Sequence, residues 1–274
     1  MGQNSDLKRR LDVLLVERGL AESREQAKRL ILAGLVVVEG FASPKAGLMV
    51  PSDIPIVLKE RERFVSRGGL KLQAALEHFG VELTGRVCLD VGASTGGFTD
   101  CMLQNGARIV YAVDVGASQM HERVKSNERV KLLEHTNART LTPELFALQP
   151  EFAAVDVSFI SILHITGALP PVLAPGASSV FLIKPQFEAG REEVSRGRGV
   201  IKDPAVHRAV LGRVLEELPR QGWQVCGLIP SPIRGGSGNV EFLCYATVAL
   251  LGNPVQPVHI DIDDVVQTGK PPIT

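Results

Sequence analysis

The sequence predicts an α/β protein: a Rossmann-like, doubly wound sheet, mainly parallel with an antiparallel last strand, preceded by a small α+β module. Three observations carry that prediction. From Gly69 onward, short apolar runs of strand length alternate with helical patterns, the order that builds a parallel sheet covered on both faces. The run Val87-Cys88-Leu89 closes on Asp90 and passes through the small residues Gly92 to Gly97 into an amphipathic stretch carrying Phe98, Cys101, Met102 and Leu103. Strand, small-residue loop, helix is how such a sheet makes a nucleotide-shaped pocket at its first crossover. Finally, the last two strands are joined by a loop too short for a crossover helix, so they must be antiparallel.

The elements follow in order. Residues 8–58 read as two short helices and then short strands. Leu11, Leu14 and Leu15 share one helical face, and Ser23 is placed to cap a second helix from Arg24 to Ala33 whose apolar stripe is Ala27, Leu30 and Ile31. Val36-Val37-Val38 runs into a Glu39-Gly40 turn, and Ile56-Val57-Leu58 is a later strand. The mixed-charge stretch from Lys59 is expected to be a linker over 59–67. A main domain over 68–250 then opens with a helix carrying Leu70, Leu72, Ala75, Leu76 and Phe79. Its strands are expected at Val87–Leu89, Ile109–Val113, Val130–Leu133, Phe152–Val155 and Val180–Ile183, followed by a long helix over Pro204–Gln221 and strands Gln224–Ile229 and Val240–Val248. Residues 251–274, proline-bearing and acidic at Asp261, Asp263 and Asp264, are expected to be a disordered tail.

Composition narrows the class. With 274 residues, 45% hydrophobic and 22% charged, the chain suits a globule with a real core. No apolar run approaches the roughly 18 residues of a membrane helix. The four cysteines lack metal-ligand or C-x-x-C spacing and are expected to be reduced core residues of a cytoplasmic protein, with no metal site. The net charge of zero hides an asymmetry: residues 1–71 hold 13 Lys and Arg against 9 Asp and Glu, a surplus of four that the remainder cancels. Arg9, Arg10, Arg18, Arg24, Lys28 and Arg29 cluster on and around the two N-terminal helices, where they suit a polyanion or simply a solvated face.

In an open α/β sheet the ligand crevice lies outside the carboxyl ends of the strands. Those ends carry Asp90, Asp114, Asn137, Asp156 and Lys184, each of which alone could be no more than a cap or a turn residue. Asp114 lies 22 residues beyond Gly92, the spacing at which a carboxylate meets ribose hydroxyls. Dinucleotide binders need G-x-G-x-x-G to seat a pyrophosphate; Gly92-Ala93-Ser94-Thr95-Gly96-Gly97 puts Ser at the second glycine. Small hydroxyls suit an amino-acid moiety, which favours S-adenosyl-L-methionine over a nicotinamide cofactor.

Two resemblances sharpen this reading. Arg10-Leu11-Asp12-x-x-Leu15 with Ser23-Arg24-x-x-Ala27-x-x-x-Ile31-x-x-Gly34-x-Val36-x-Val38 resembles the S4 RNA-binding domain, with Glu39-Gly40 where that family usually has Asn-Gly or Asp-Gly. The stretch Leu89 to Asp100, together with Asp156 to Ser161 and Lys184 to Glu188, resembles FtsJ-like 2′-O-methyltransferases. The two modules in this order are similar to the TlyA family, also described as haemolysin-like. The resemblance implies methylation of cytidine ribose 2′-hydroxyls in ribosomal RNA, with ribosomal subunits as partners. It also implies a Lys-Asp-Lys-Glu tetrad at Lys71, Asp156, Lys184 and Glu241.

On that basis Gly92, Ser94, Thr95 and Gly96 would hold the methionine end of the cofactor, with Asp90 and Asp156 beside them. Asp114 would hold the ribose, and Asn137 and Ala138 the adenine edge. Desolvation and a neighbouring ammonium ease removal of a proton from an amine, the role suggested for Lys71 beside Lys184; Lys184 would then accept the 2′-hydroxyl proton or stabilise the alkoxide, with Asp156 and Glu241 orienting the lysines. Arg67 and a Gly/Arg-rich loop over 188–199 carrying Arg191, Arg196 and Arg198 would contact RNA phosphates. The rivals are a catalytically silent RNA-binding or assembly factor and a membrane-lytic protein. The second is disfavoured by the lack of a spanning segment.

Overall fold

The computed structural model describes residues 8–59, 62–250 and 258–269. Two compact units divide at Arg63 and Phe64.

In the first unit, β1 (Lys8–Arg10) runs into α1 (Leu11–Glu17), and α2 (Arg24–Leu32) follows. Then come β2 (Val36–Val38), β3 (Met49–Pro51) and β4 (Ile56–Leu58). β1 pairs with β3 and β2 with β4, both antiparallel. The Ser23 hydroxyl caps α2 by accepting from the Gln26 amide at 3.2 Å. Leu11, Leu14, Leu15, Ala27, Ile31 and Val36 close a small core of their own.

The second unit opens with α3 (Gly68–Phe79). The main sheet then takes β5 (Val87–Val91), β6 (Ile109–Val113), β7 (Val130–Leu133), β8 (Phe152–Val155) and β9 (Ser178–Ile183). Between them lie α4 (Gly97–Gln104), α5 (Glu122–Lys125) and α6 (Leu163–Thr166). After β9 come α7 (Pro185–Glu188), α8 (Arg191–Arg196) and α9 (Pro204–Arg220). Strands β10 (Trp223–Pro230) and β11 (Phe242–Val248) and helix α10 (Ile262–Thr268) end the unit. Strand order is β10-β11-β9-β8-β5-β6-β7, parallel from β9 to β7 and antiparallel at β10-β11 and β11-β9. Leu89, Val91, Ala153 and Val155 pack under α6, α9 and α10. Cys88, Phe152 and Ala154 face α3 and α4. This alternation buries both faces, as a period of two requires in a central strand.

Three expectations need correction. Phe64 lies inside the expected linker yet is 2% exposed and packed in the core of the second unit; a Cβ on Gly69 would come 2.3 Å from its ring, so only glycine lets the ring lie against α3. The expected tail contains α10, which buries Val265 and Val266 against α9 and β10 because its spacing presents both valines to the core; the rest of the tail, 251–257 and 270–274, lies outside the described residues. The expected 188–199 loop forms a short helix over Arg191–Arg196 instead; the side chains of Arg191 and Arg196 lie outside the description.

Candidate active site

A cavity of about 320 Å3 opens at the carboxyl edge of the sheet, over the ends of β5, β6 and β8. Of the residues expected to hold a cofactor, Gly92, Ser94, Asp114, Asn137, Ala138 and Asp156 line it. Gly92 has φ +86°, and a Cβ there would stand 2.4 Å from the Asp156 carbonyl oxygen. The turn after β5 therefore passes against the end of β8 only because it lacks a side chain. Ser94 holds φ +45°. Its amide donates to Asp114 at 2.7 Å, and the Gly116 amide donates to the other Asp114 oxygen at 2.7 Å. Asp114 is thus locked by backbone, with further lone pairs to offer a ligand.

Three of the expected cofactor residues do not line this cavity. Asp90 lies inside β5, not at its end, and is fully buried on the α4 face. It accepts from the Thr99 hydroxyl at 2.5 Å, and burial, with the charges of Asp156 and Asp114 adding to it, pushes its carboxyl up to about 7. Its place is beneath the helix start rather than against a ligand. Gly96, at φ +90°, packs on Met120 and Val124, and the Thr95 carbonyl accepts from the His121 amide.

Beside the cavity stand two lysine–carboxylate pairs. Lys184, at the end of β9, puts Nζ 2.5 Å from Asp156 Oδ1 and donates to the Ser158 hydroxyl at 2.8 Å. Lys71, in the first turn of α3, puts Nζ 2.5 Å from Glu241 Oε2. Phe242 pairs in register with Ile183, so Glu241 and Lys184 leave neighbouring strands side by side. All four groups thereby gather at one edge, and each ammonium meets a carboxylate. Lys71 and Lys184 are each 8% exposed and Glu241 3%; charges this buried demand partners.

Several contributors gave no individual signal in the sequence. Glu188 accepts from the Ser161 hydroxyl at 2.6 Å and the Ile162 amide at 2.7 Å, tying the loop after β8 to the segment after Lys184. Phe159 is 88% exposed at the cavity rim with φ +68°, its ring 5.2 Å from that of Phe187. Gly235 lies so close to Glu241 that a Cβ would meet Oε1 at 2.4 Å. Only the spacing of the Asp156 and Lys184 motifs hinted at the first two.

The basic residues of the first unit are not equivalent. Asp12, wholly buried, accepts from Arg10 at 3.0 and 3.1 Å and from Arg24 at 3.0 Å; the Arg10 bond above all holds its carboxyl down at about 2 against burial. Arg10 and Arg24 keep about half their side chains in solvent. Arg18 instead donates to the carbonyls of Ile54 and Ser52 at 2.6 and 2.5 Å, an internal clamp rather than a free phosphate contact. Arg9 lies 3.9 Å from Glu17 and Lys28 3.9 Å from Glu25, while Arg29 is exposed. In the second unit, Arg67 donates to the Arg234 carbonyl at 2.6 Å, and Arg198 is exposed at φ +50°. No group of His, Cys, Asp and Glu among the described residues forms a metal cluster, and no helix there is long and apolar enough to cross a membrane.

Residues 64–247 match the FtsJ-like methyltransferase family and residues 9–40 the S4 domain. The chain is 50% identical to YqxC of Bacillus subtilis, over 87% of this chain and 85% of that one. It is 42% identical to TlyA of Mycobacterium tuberculosis, a 16S/23S rRNA (cytidine-2′-O)-methyltransferase, over 86% and 88%. A solved structure from Streptococcus thermophilus, which carries a hemolysin description, superposes with a TM-score of 0.73 at 44% identity, over 96% and 95%.

Proposed function

The chain belongs to the FtsJ-like methyltransferase family, with an S4 domain ahead of it, and from that premise we propose that it methylates the ribose 2′-hydroxyl of cytidine in ribosomal RNA, using S-adenosyl-L-methionine. The observation that carries the proposal is the gathering of two buried lysine–carboxylate pairs beside a cavity of about 320 Å3 lined by Gly92, Asp114 and Asn137. The donor supplies an electrophilic sulfonium methyl; Gly92, Ser94, Asp114, Asn137 and Ala138 would hold it, and the Cβ-free approach at Gly92 fits a ligand pressed against backbone.

What the chain adds is position and charge. Asp156 and Ser158 fix Lys184 at the border of the cavity, where it would receive the 2′-hydroxyl proton or steady the oxygen as that proton leaves. Glu241 fixes Lys71 against the same edge. Phe159, exposed at the rim and backed by Phe187, offers a ring on which the target base can stack. In the S4 domain, buried Asp12 presents Arg10 and Arg24 to phosphates, with Arg9, Lys28 and Arg29 alongside. Such a substrate implies a cytoplasmic site of work.

The decisive experiment incubates the purified chain and methyl-labelled S-adenosylmethionine with ribosomal RNA from cells lacking the protein. Ribose methylation at discrete cytidines is expected. Failure to label RNA, or label on bases, would overturn the reading.

A further inference from the structure

A second cavity, of about 350 Å3, lies farther along the same sheet edge. β10 ends at Pro230, the register partner of Phe242, so the loop over 231–241 leaves the sheet at the edge where Ile183 gives way to Lys184. The start of α9 is at that edge too, because the helix ends at Arg220, just before Trp223 at the opposite edge. The candidate cofactor cavity therefore stands over β6, β5 and β8, the lysine pairs over β9 and β11, and the second cavity over β11 and β10. Arg234 in its lining is followed by Gly235, where a Cβ would meet Glu241 Oε1 at 2.4 Å, so this wall of the cavity adjoins the Lys71–Glu241 pair.

Its lining is two-natured. Ile201, Pro204, Val240 and Val266 supply apolar wall, Lys202 and Arg234 supply charge, and no carboxylate lines it among the described residues. Arg234 donates to the Gly238 carbonyl at 3.0 Å, while its own carbonyl is held by Arg67. The framework is firmly tied. Asn239, 1% exposed, donates to the Gly199 carbonyl at 2.9 Å and accepts from the Ile201 amide at 2.9 Å. His207 packs its ring on Phe242 and meets the Ile201 carbonyl at 3.2 Å. Nothing in the chemistry assigned to the lysine pairs uses this cavity.

A nucleotide drawn out of RNA for reaction unstacks its neighbour, whose base then needs an apolar surface and whose phosphate needs a cation. The second cavity offers both, and its Arg234 wall adjoins Glu241. We propose that it binds the nucleotide adjoining the methylated one, with the base against Ile201 and Val240 and the phosphate on Arg234 and Lys202. The inference rests on the RNA methyltransferase reading and deepens it by giving the substrate a second subsite.

The test compares the full chain with Arg234→Gln, Lys202→Gln and the double variant, using ribosomal RNA from cells lacking the protein. The KM for RNA is expected to rise about three- to tenfold per substitution, and the slope of log KM against log salt to fall by about one for each cation removed from a phosphate. S-adenosylmethionine affinity by calorimetry and kcat at saturating RNA should stay within about twofold. Arg234→Lys should restore part of the loss, and Val200→Phe, which enlarges a side chain of the lining, should raise KM without changing the salt slope. An unaltered RNA KM and salt slope in the double variant, in a preparation whose parent methylates RNA, overturns this inference alone. A parent that labels no RNA overturns the functional reading and this inference with it.

Discussion

Lys184 touches Asp156 at 2.5 Å and Ser158 at 2.8 Å, which makes it the residue by which the chemistry can be tested most directly. Lys184→Ala is expected to lower kcat by about 10^2- to 10^4-fold with cofactor affinity little changed, because the proposed mechanism has the lysine serve the hydroxyl and not the donor. Single-turnover methyl transfer and calorimetry separate the two. Asp114→Ala should do the reverse, weakening the cofactor while sparing transfer at saturation. Asp90 gives a third case, through linkage. Its folded carboxyl titrates near 7, above the usual carboxylate value, so stability linked to it is present in full below about 4 and is lost as pH rises through 7. Asp90→Asn can still accept from Thr99 and should flatten that decline, read as the change in urea midpoint between pH 4 and 7.5. A variant keeping the parental slope would exclude Asp90 as its source.

At the scale of elements, period and punctuation explain what could be read and what could not. Strands β5, β6, β7, β8 and β9 and helix α9 were legible because each is a continuous apolar run or a long amphipathic pattern bounded by charge, Gly or Pro. The one-turn helices after β8 and β9 were not, since four residues carry no period. Helix α10 was obscured by acidic and proline-bearing flanks, although its first-turn Asp263 and Asp264 and its Asp261 cap are ordinary helix-start chemistry. In the site, Lys184 and Asp156 could be placed from strand ends alone, whereas Lys71 and Glu241 came only through resemblance. They are 170 residues apart, and no local pattern encodes that meeting. Asp90 was expected to close its strand, but β5 runs on to Val91, so Asp90 lies within the strand and is buried against α4 rather than offered at the open end. Helix α10 also bears on the edge that carries the lysine pairs, because it packs on β10 and Gly269 lies against Val240, the neighbour of Glu241. Val266→Ala should cost about 1–3 kcal/mol in unfolding free energy, measured in urea.

At the scale of the molecule, the chain divides into a small unit with its own core and a larger one built on the seven-stranded sheet. The small unit buries little apolar area, and domains of about 60 residues are marginal on that account. Its stability leans on Asp12, whose carboxylate joins Arg10 and Arg24 inside the fold. The direction with pH follows: a carboxyl held down at about 2 adds stability above about 4, and loses it as pH falls toward 2. Calorimetry at pH 7 is therefore expected to show two transitions, the smaller one lower in temperature and falling first on acidification. Asp12→Asn should lower the small transition by the equivalent of about 1–3 kcal/mol, since a buried partner of two arginines is removed, and leave the large one in place. Gly92→Ala should act on the other unit: with φ +86° and the Asp156 carbonyl in the way, it should lower only the large transition and weaken binding of the methyl donor. A single transition moved equally by both substitutions would show that the two units unfold as one.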